Sequence, residues 1–195
     1  KNAIKKYPRC KIVIVTGGGK IARDYIEALS DKSEKIRSLI GIKATKLNAM
    51  LVSNFLDNEV VVPDSLTDVK RNLMKKNLVV CGALGYREKM TSDGTAADVA
   101  RYLKADLLIN MTNVKGLYDK DPRKFKNTKL ISEIGFSDFL KMADKIKYKP
   151  GQHFVLDQAA AEIIAKYKIK TVILKGAGEL RKCLNGEKFA GTMIN

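Results

Sequence analysis

What this 195-residue sequence has least of is histidine: there is one, His153. A single histidine cannot build a multi-histidine zinc site, and it lies far along the chain from any candidate nucleophile, so it reads as a polar loop residue. Cysteine is scarce and dispersed. Cys10, Cys81 and Cys183 form no CxxC pair, which argues against a zinc knot and suits a reducing, cytoplasmic setting. No apolar run approaches the ~20 residues that span a bilayer. The basic opening KNAIKKY leads into no apolar segment of a secretory signal. The chain starts at Lys1 and not at Met, as a piece of a longer protein would. Acidic residues are the minority, 21 against 37 Lys and Arg, for a net charge of +16. Such an excess attracts polyanions. The lysines are spread through helical segments, however, the KK pairs at 5–6 and 75–76 are short, and no aromatic residues interleave with them. A solvated basic surface is therefore favoured over nucleic-acid binding.

What is present is a regular alternation. CKIVIVT (10–16) is a β-branched run ending in glycines and reads as a buried strand, followed by a helix over about 20–29. Ile36, Leu39, Ile40, Ala44, Leu47, Met50, Leu51 and Phe55 keep helical spacing. EVVVP (59–63) reads as a strand stopped by Pro63, and 65–75 as a helix capped by Ser65. NLVVCGA (77–83), DLLINMT (106–112), KLISEI (129–134), KTVILKG (170–176) and GTMIN (191–195) read as extended. Helices are expected around Ala96–Leu103 and at about 136–143 and 157–167. Strands alternating with helices predict an α/β fold with a mostly parallel sheet covered on both faces, in one domain.

Three polar stretches follow strands, where ligands of open α/β sheets gather. TGGGKIAR (16–23) sets glycines ahead of a helix, so backbone N–H groups and the helix N-terminus can receive a phosphate, with Lys20 and Arg23 close by. It is not a P-loop, because Ile14 and Ile21 occupy required glycine and hydroxyl positions. Gly17, Gly19 and Ala22 match a dinucleotide fingerprint, but the second strand with its acidic end is replaced by the helical stretch 36–56. TSDGTAADVA (91–100) places Thr91, Ser92 and Asp93 at a helix start, where one cap would suffice; Asp93 is suited to organising a transferring phosphoryl group or its metal. Asp98 reads as an exposed helix residue. TNVKGLYDKDP (112–122) offers Thr112 and Asn113 as hydrogen-bonding groups, Tyr118 as an aromatic face for a base or ribose, and an Asp121-Pro122 turn.

Taken in order, TGGGKIARDYI (16–26), GIKATKLNAMLV (41–52), TSDGTAADVARYLKADLL (91–108), TNVKGLYDKDP (112–122) and VLDQAAAEIIAKYKIKTVIL (155–174) resemble the amino acid kinase superfamily, most like its archaeal-type uridylate (UMP) kinases. The resemblance implies a three-layer αβα sandwich, ATP-dependent phosphorylation of UMP to UDP in the cytoplasm, and assembly as a homo-oligomer, a hexamer. It implies that Gly17, Gly18 and Arg23 lie between the two nucleotides' phosphates, with Gly18 on the ATP side. Thr91 and Ser92 then stand at the acceptor and Asp93 at the transferring group, as the second catalytic residue beside Arg23. Thr112, Asn113, Tyr118 and Asp121 match the ATP loop. Mg2+ is expected to arrive on the nucleotide phosphates, with Asp93 its one protein ligand.

Three features depart from the family pattern. The family's opening strand and its Gly-Gly-Ser turn match nothing here, since residue 1 corresponds to a point beyond them. Ser38 stands where UMP kinases usually carry an aspartate for the nucleoside monophosphate. The loop CGALGYREKMTSD (81–93) is longer than usual and adds Tyr86, Arg87, Glu88 and Lys89, of which Arg87 is expected at the acceptor phosphate. Two alternatives follow from them: a sister kinase of another small phosphate or carboxylate, or a non-catalytic nucleotide-binding protein of the same fold.

Overall fold

A computed structural model describes residues 6–56, 61–88, 90–120, 122, 125–145 and 156–195. The chain divides into two compact units, Lys1–Val99 and Ala100–Asn195.

In the first unit, β1 (Ile12–Val15) and β2 (Leu78–Cys81) pair in parallel, with Ile12 opposite Leu78 and Val15 opposite Cys81. Both are β-branched runs, which suits a pleated, covered surface. Their shared direction brings the segments after Val15 and after Cys81 to the same edge. Three helices accompany them: α1 (Gly19–Ala28), α2 (Glu34–Phe55) and α3 (Leu66–Lys75). Ser33 and Ser65 cap α2 and α3 by accepting from the Ile36 and Asp68 amides, so the Ser65 cap expected from the sequence is present. The core here includes Ala44, Ala49, Val69, Leu73, Val79 and Val80. α4 (Ser92–Leu103) begins in this unit.

The second unit holds β3 (Leu108–Met111), β4 (Leu117–Tyr118), β5 (Leu130–Ile131), β6 (Glu133–Ile134), β7 (Thr171–Leu174) and β8 (Gly191–Ile194). Their four-stranded sheet runs β3-β7-β8-β6, with β3–β7 and β6–β8 parallel and β7–β8 antiparallel. β4 and β5 form a short antiparallel pair. The helices are α5 (Phe136–Lys145), α6 (Gln158–Tyr167) and α7 (Gly176–Leu184). β7 is fully buried, together with Phe139, Leu156 and Ile164.

The expected alternation is present, with differences of physical origin. Residues 61–63 lie outside any strand, while 59–60 fall outside the described residues. Pro63 has no amide to give to a ladder, which disfavours pairing at that end. The stretch 129–134 is two short strands that break at Ser132 and take different partners, β4 and β8. α7 is an addition: two glycines in its first turn, in GAGELRKCL, mask a helix in the sequence. β4 is also unforeseen, because only its partner's register makes it a strand.

Candidate active site

The edge reached after β1 and β2 is built by side chains of α2. Thr16 continues the ladder, its amide donating to the Cys81 carbonyl at 2.9 Å and its hydroxyl to the Thr45 carbonyl at 2.8 Å. Asn48 Nδ2 donates to the Gly17 carbonyl at 2.8 Å. Thr45 Oγ1 donates to the Ile42 carbonyl at 2.7 Å and accepts from the Ala83 amide at 2.8 Å. Thr45 and Asn48 thus hold the glycine turn and the start of the 82–91 loop against one helix. Gly82 makes this possible, because a Cβ there would stand 2.5 Å from Thr45 Oγ1 and 2.7 Å from the Lys46 amide nitrogen. Neither Thr45 nor Asn48 was singled out from the sequence. The signal was available, as polar residues on the inward face of an apolar helix need partners.

The glycine turn ends in α1, whose N-cap Gly18 makes no side-chain cap and whose first turn carries no acid. Gly19 has φ +64°, a conformation glycine adopts without strain. An uncapped N-terminus with its partial positive charge is a seat for an anion. Lys20 pairs with Asp24 at 2.8 Å on the surface, and Arg23 is exposed in the first turns of the same helix.

Opposite the turn stands α4. A Cβ on Gly17 would lie 3.5 Å from Ser92 Oγ, so the backbone at Gly17 and the Ser92 hydroxyl share one small space. The cap of α4 is Thr91, whose Oγ1 accepts from the Gly94 amide at 3.1 Å. Thr95 Oγ1 donates back to the Thr91 carbonyl at 2.8 Å. Asp93 sits half-buried in the first turn beside Ser92. Gly17, Ser92, Asp93 and the open end of α1 are therefore gathered in one unit, and Thr91 anchors the helix that bears two of them.

Asp98 corrects the sequence reading. It is buried, 3% exposed, and its Oδ2 lies 2.7 Å from Arg87 Nη2. Ala97, Val99 and Ala100 around it are buried too, so this turn of α4 is enclosed all round and leaves position 98 no exposed face, and a buried carboxylate needs a cationic or hydrogen-bonding partner. On the neighbouring face of the loop, the Tyr86 ring lies 6.0 Å from Lys35 Nζ at the start of α2. Cys81 supplies no nucleophile at this edge: burial pushes its thiol up to about 12.

In the second unit, TNVKGLYDKDP leaves the end of β3. The Thr112 amide donates to the Leu174 carbonyl at 3.0 Å, which sets the loop beside the uncapped start of α7. Thr112 is half-buried and Asn113 exposed. Tyr118, in β4, is half-buried and pairs with Leu130. The Leu117 amide donates to Thr192 Oγ1 at 2.8 Å, and Asp119 accepts from the Lys129 amide at 2.8 Å. Asp121 and His153 lie outside the described residues, as does Lys89.

No group of three His, Cys, Asp or Glu side chains that could hold a metal ion stands together among the described residues. The first turn of α4 carries one carboxylate, Asp93, beside the Ser92 hydroxyl that faces Gly17, a donor type that fits a magnesium ion carried in on phosphates, which takes one or two protein carboxylates.

The model of the amino acid kinase family matches residues 2–175. Uridylate kinase of Methanococcus aeolicus is 38% identical over 189 residues, 95% of this chain and 83% of that protein. Uridylate kinase of Thermococcus kodakarensis is 36% identical over 191 residues, 94% of this chain and 83% of that one. Among solved structures, uridylate kinase from Archaeoglobus fulgidus superposes with a TM-score of 0.87 at 31% identity, covering all of this chain and 89% of that one. UMP kinase from Ureaplasma parvum, 21% identical with a TM-score of 0.78, shares the fold. No helix among the described residues is long and apolar enough to cross a membrane.

Proposed function

The chain belongs to the amino acid kinase family, and from that premise we propose that it is a uridylate kinase, transferring the γ-phosphoryl of ATP to UMP to give UDP and ADP. The observation that carries this reading is the joint placement of Gly17 and Ser92 beside the uncapped N-terminus of α1, an anion seat of the kind a nucleoside monophosphate needs. Relatives of 36–38% identity over nearly the whole chain carry that name. Because the family match runs continuously across both compact units, we treat 1–195 as one amino acid kinase domain.

In this reading Gly17, Thr91, Ser92 and Arg87 hold the acceptor; Gly18, Thr112, Asn113, Tyr118 and Asp121 hold ATP; and Asp93 and Arg23 act on the phosphoryl group. The acceptor oxygen of a phosphate monoester is already anionic near neutral pH, so no general base is required. The protein's task is placement and charge neutralisation. Amide groups of the glycine turn and the Arg23 guanidinium stabilise the negative charge spread over the phosphoryl oxygens. Asp93 is the carboxylate that would hold Mg2+, which when bound neutralises phosphate charge and orients the nucleotide. The net charge of +16 draws in both polyanionic substrates; nucleic acid is not the intended partner. Its place is the cytoplasm, where pyrimidine nucleotides are made, and three free cysteines agree with that.

The outward face of α2 supports self-association, and a hexamer is the assembly we assign. Leu47, Met50, Leu51 and Phe55 are exposed along it, more apolar surface than a solitary helix leaves in water. One observation favours a second reading, a sister kinase with a different small acceptor: Ser38 replaces the expected aspartate on α2.

The test is a coupled ATPase assay on the intact protein with UMP, CMP and small carboxylates. UMP should be the preferred acceptor, and phosphorylation of a carboxylate alone would favour the sister kinase. Asp93→Asn should lower turnover by about a hundredfold or more with its melting temperature retained. Near-normal turnover would remove Asp93 from the mechanism.

A further inference from the structure

The Arg87–Asp98 pair is costly as a stabilising device. Asp98 is 4% exposed at its side chain, and Ala97, Val99 and Ala100 around it are buried as well, so it sits in a turn of α4 that is enclosed all round by otherwise apolar residues. Taking a carboxylate out of water is repaid only by close pairing, and an apolar residue of similar volume would usually serve the fold as well or better. The partner it engages is unusual too. Arg87 comes from the extended 82–91 loop, the segment that leads from β2 to Ser92 and Asp93, and its side chain remains 44% exposed. The guanidinium is a planar fork with five donors, so one edge can rest on a buried carboxylate while another faces outward toward an anion. A lysine offers no such division of labour.

Three other described residues of the loop are tethered as well. Ala83 at its start donates to Thr45, Tyr86 packs near Lys35, and Thr91 at its end caps α4. Each tether leads to an element that borders Gly17 or Ser92. A long exposed arginine loses rotamer freedom when it binds a phosphate, and that loss weakens binding unless it has been met beforehand.

We propose that Asp98 is a positioning residue for the acceptor: it holds the Arg87 guanidinium in place so that the 82–91 loop presents a preset cation to the phosphate of the nucleoside monophosphate. The proposal rests on the kinase reading above and deepens it. Arg87 touches the acceptor; Asp98 acts only through Arg87. Preference for a phosphate over a carboxylate acceptor then resides partly in this pair, because a phosphate monoester carries about −1.5 to −2 charges near neutral pH and gains more from a preset cation than a singly charged carboxylate does.

Steady-state kinetics and calorimetric UMP binding on the intact protein test it. Arg87→Ala should raise the acceptor KM and the UMP Kd by about tenfold, the scale of one charge-assisted hydrogen bond, with the ATP KM unmoved. Asp98→Asn should do the same in the acceptor terms while leaving kcat close to the original. Arg87→Ala/Asp98→Asn should be no worse than Arg87→Ala alone, since the two act as a unit. If Asp98→Asn fails to fold, Arg87→Met/Asp98→Leu replaces the pair with apolar groups and should be folded yet weak toward UMP. Arg87→Lys keeps the charge but should still raise the acceptor KM. Variants that lose melting temperature while the acceptor KM and UMP Kd stay at their original values would overturn the positioning role and leave the kinase intact. An intact protein that neither binds nor phosphorylates a nucleoside monophosphate would overturn the kinase reading itself, and this proposal with it.

Discussion

The two compact units both lay helices on a small sheet, all parallel in the first and mixed in the second, with different treatments of their outer surfaces. In the first, α2 turns its small residues inward: Ala44, Thr45, Ala49 and Ser53 are buried, while Leu51 is 69% and Phe55 71% exposed. In the second, α6 buries Ala160, Ala161 and Ile164, and α7 shows solvent an ion pair between Lys182 and Glu179 at 2.8 Å. The inversion of α2 follows from its inward task. Thr45 must reach Ala83 and approach Gly82 closely, so bulky side chains have no room on that face. The large apolar residues that give this stretch its helical spacing are displaced to the other side. Site-building and surface-making are thus coupled on one helix in the first unit and kept apart in the second.

The largest effect expected from disturbing this contrast is on assembly. Leu51→Glu/Phe55→Glu should reduce the mass measured by light scattering toward that of the 21.6 kDa chain, whereas a charge reversal on α7 should leave it unchanged. An unaltered mass would overturn the proposed self-association through α2.

Next in size is the close approach behind the site. Gly82→Ala places a methyl group against Thr45 and the Lys46 backbone and should destabilise by about 1–3 kcal/mol in denaturant unfolding. Gly178→Ala in α7 meets nothing within 4 Å and should be neutral or slightly stabilising. Equal responses at the two glycines would show that α2 has room to yield, and that its inversion has another cause.

The smallest effect concerns the polar surface of α7. The Lys182 hydrogen bond and then the Ala190 amide hold the Glu179 carboxyl below its ordinary value of 4.5. A carboxylate depressed in the folded state contributes stability above its unfolded pKa and loses it as pH falls through the folded value. Glu179→Gln should therefore lower the melting temperature slightly near neutral pH, and the difference should fade as the pH drops below 4.5. A difference that persists in acid would assign the effect to packing instead.

Much of this molecule was decided by local signals: β-branched runs such as IVIV and TVIL, the Ser65 cap, and the glycine turn after β1 are properties of short stretches and could be read directly. The ordered motifs marked the family, because their spacing along the chain is itself a sequence property. Tertiary structure alone decided which face of α2 is buried, since apolar periodicity reports a stripe but not which side the sheet will take. It alone decided that Asp98 is buried and bound to Arg87, because the loop that brings Arg87 over α4 has no periodicity to read. It also decided that Thr45 and Asn48 secure the turn, as a hydrogen bond between residues 31 apart, Asn48 to Gly17, exists only once the helix is laid against the strands.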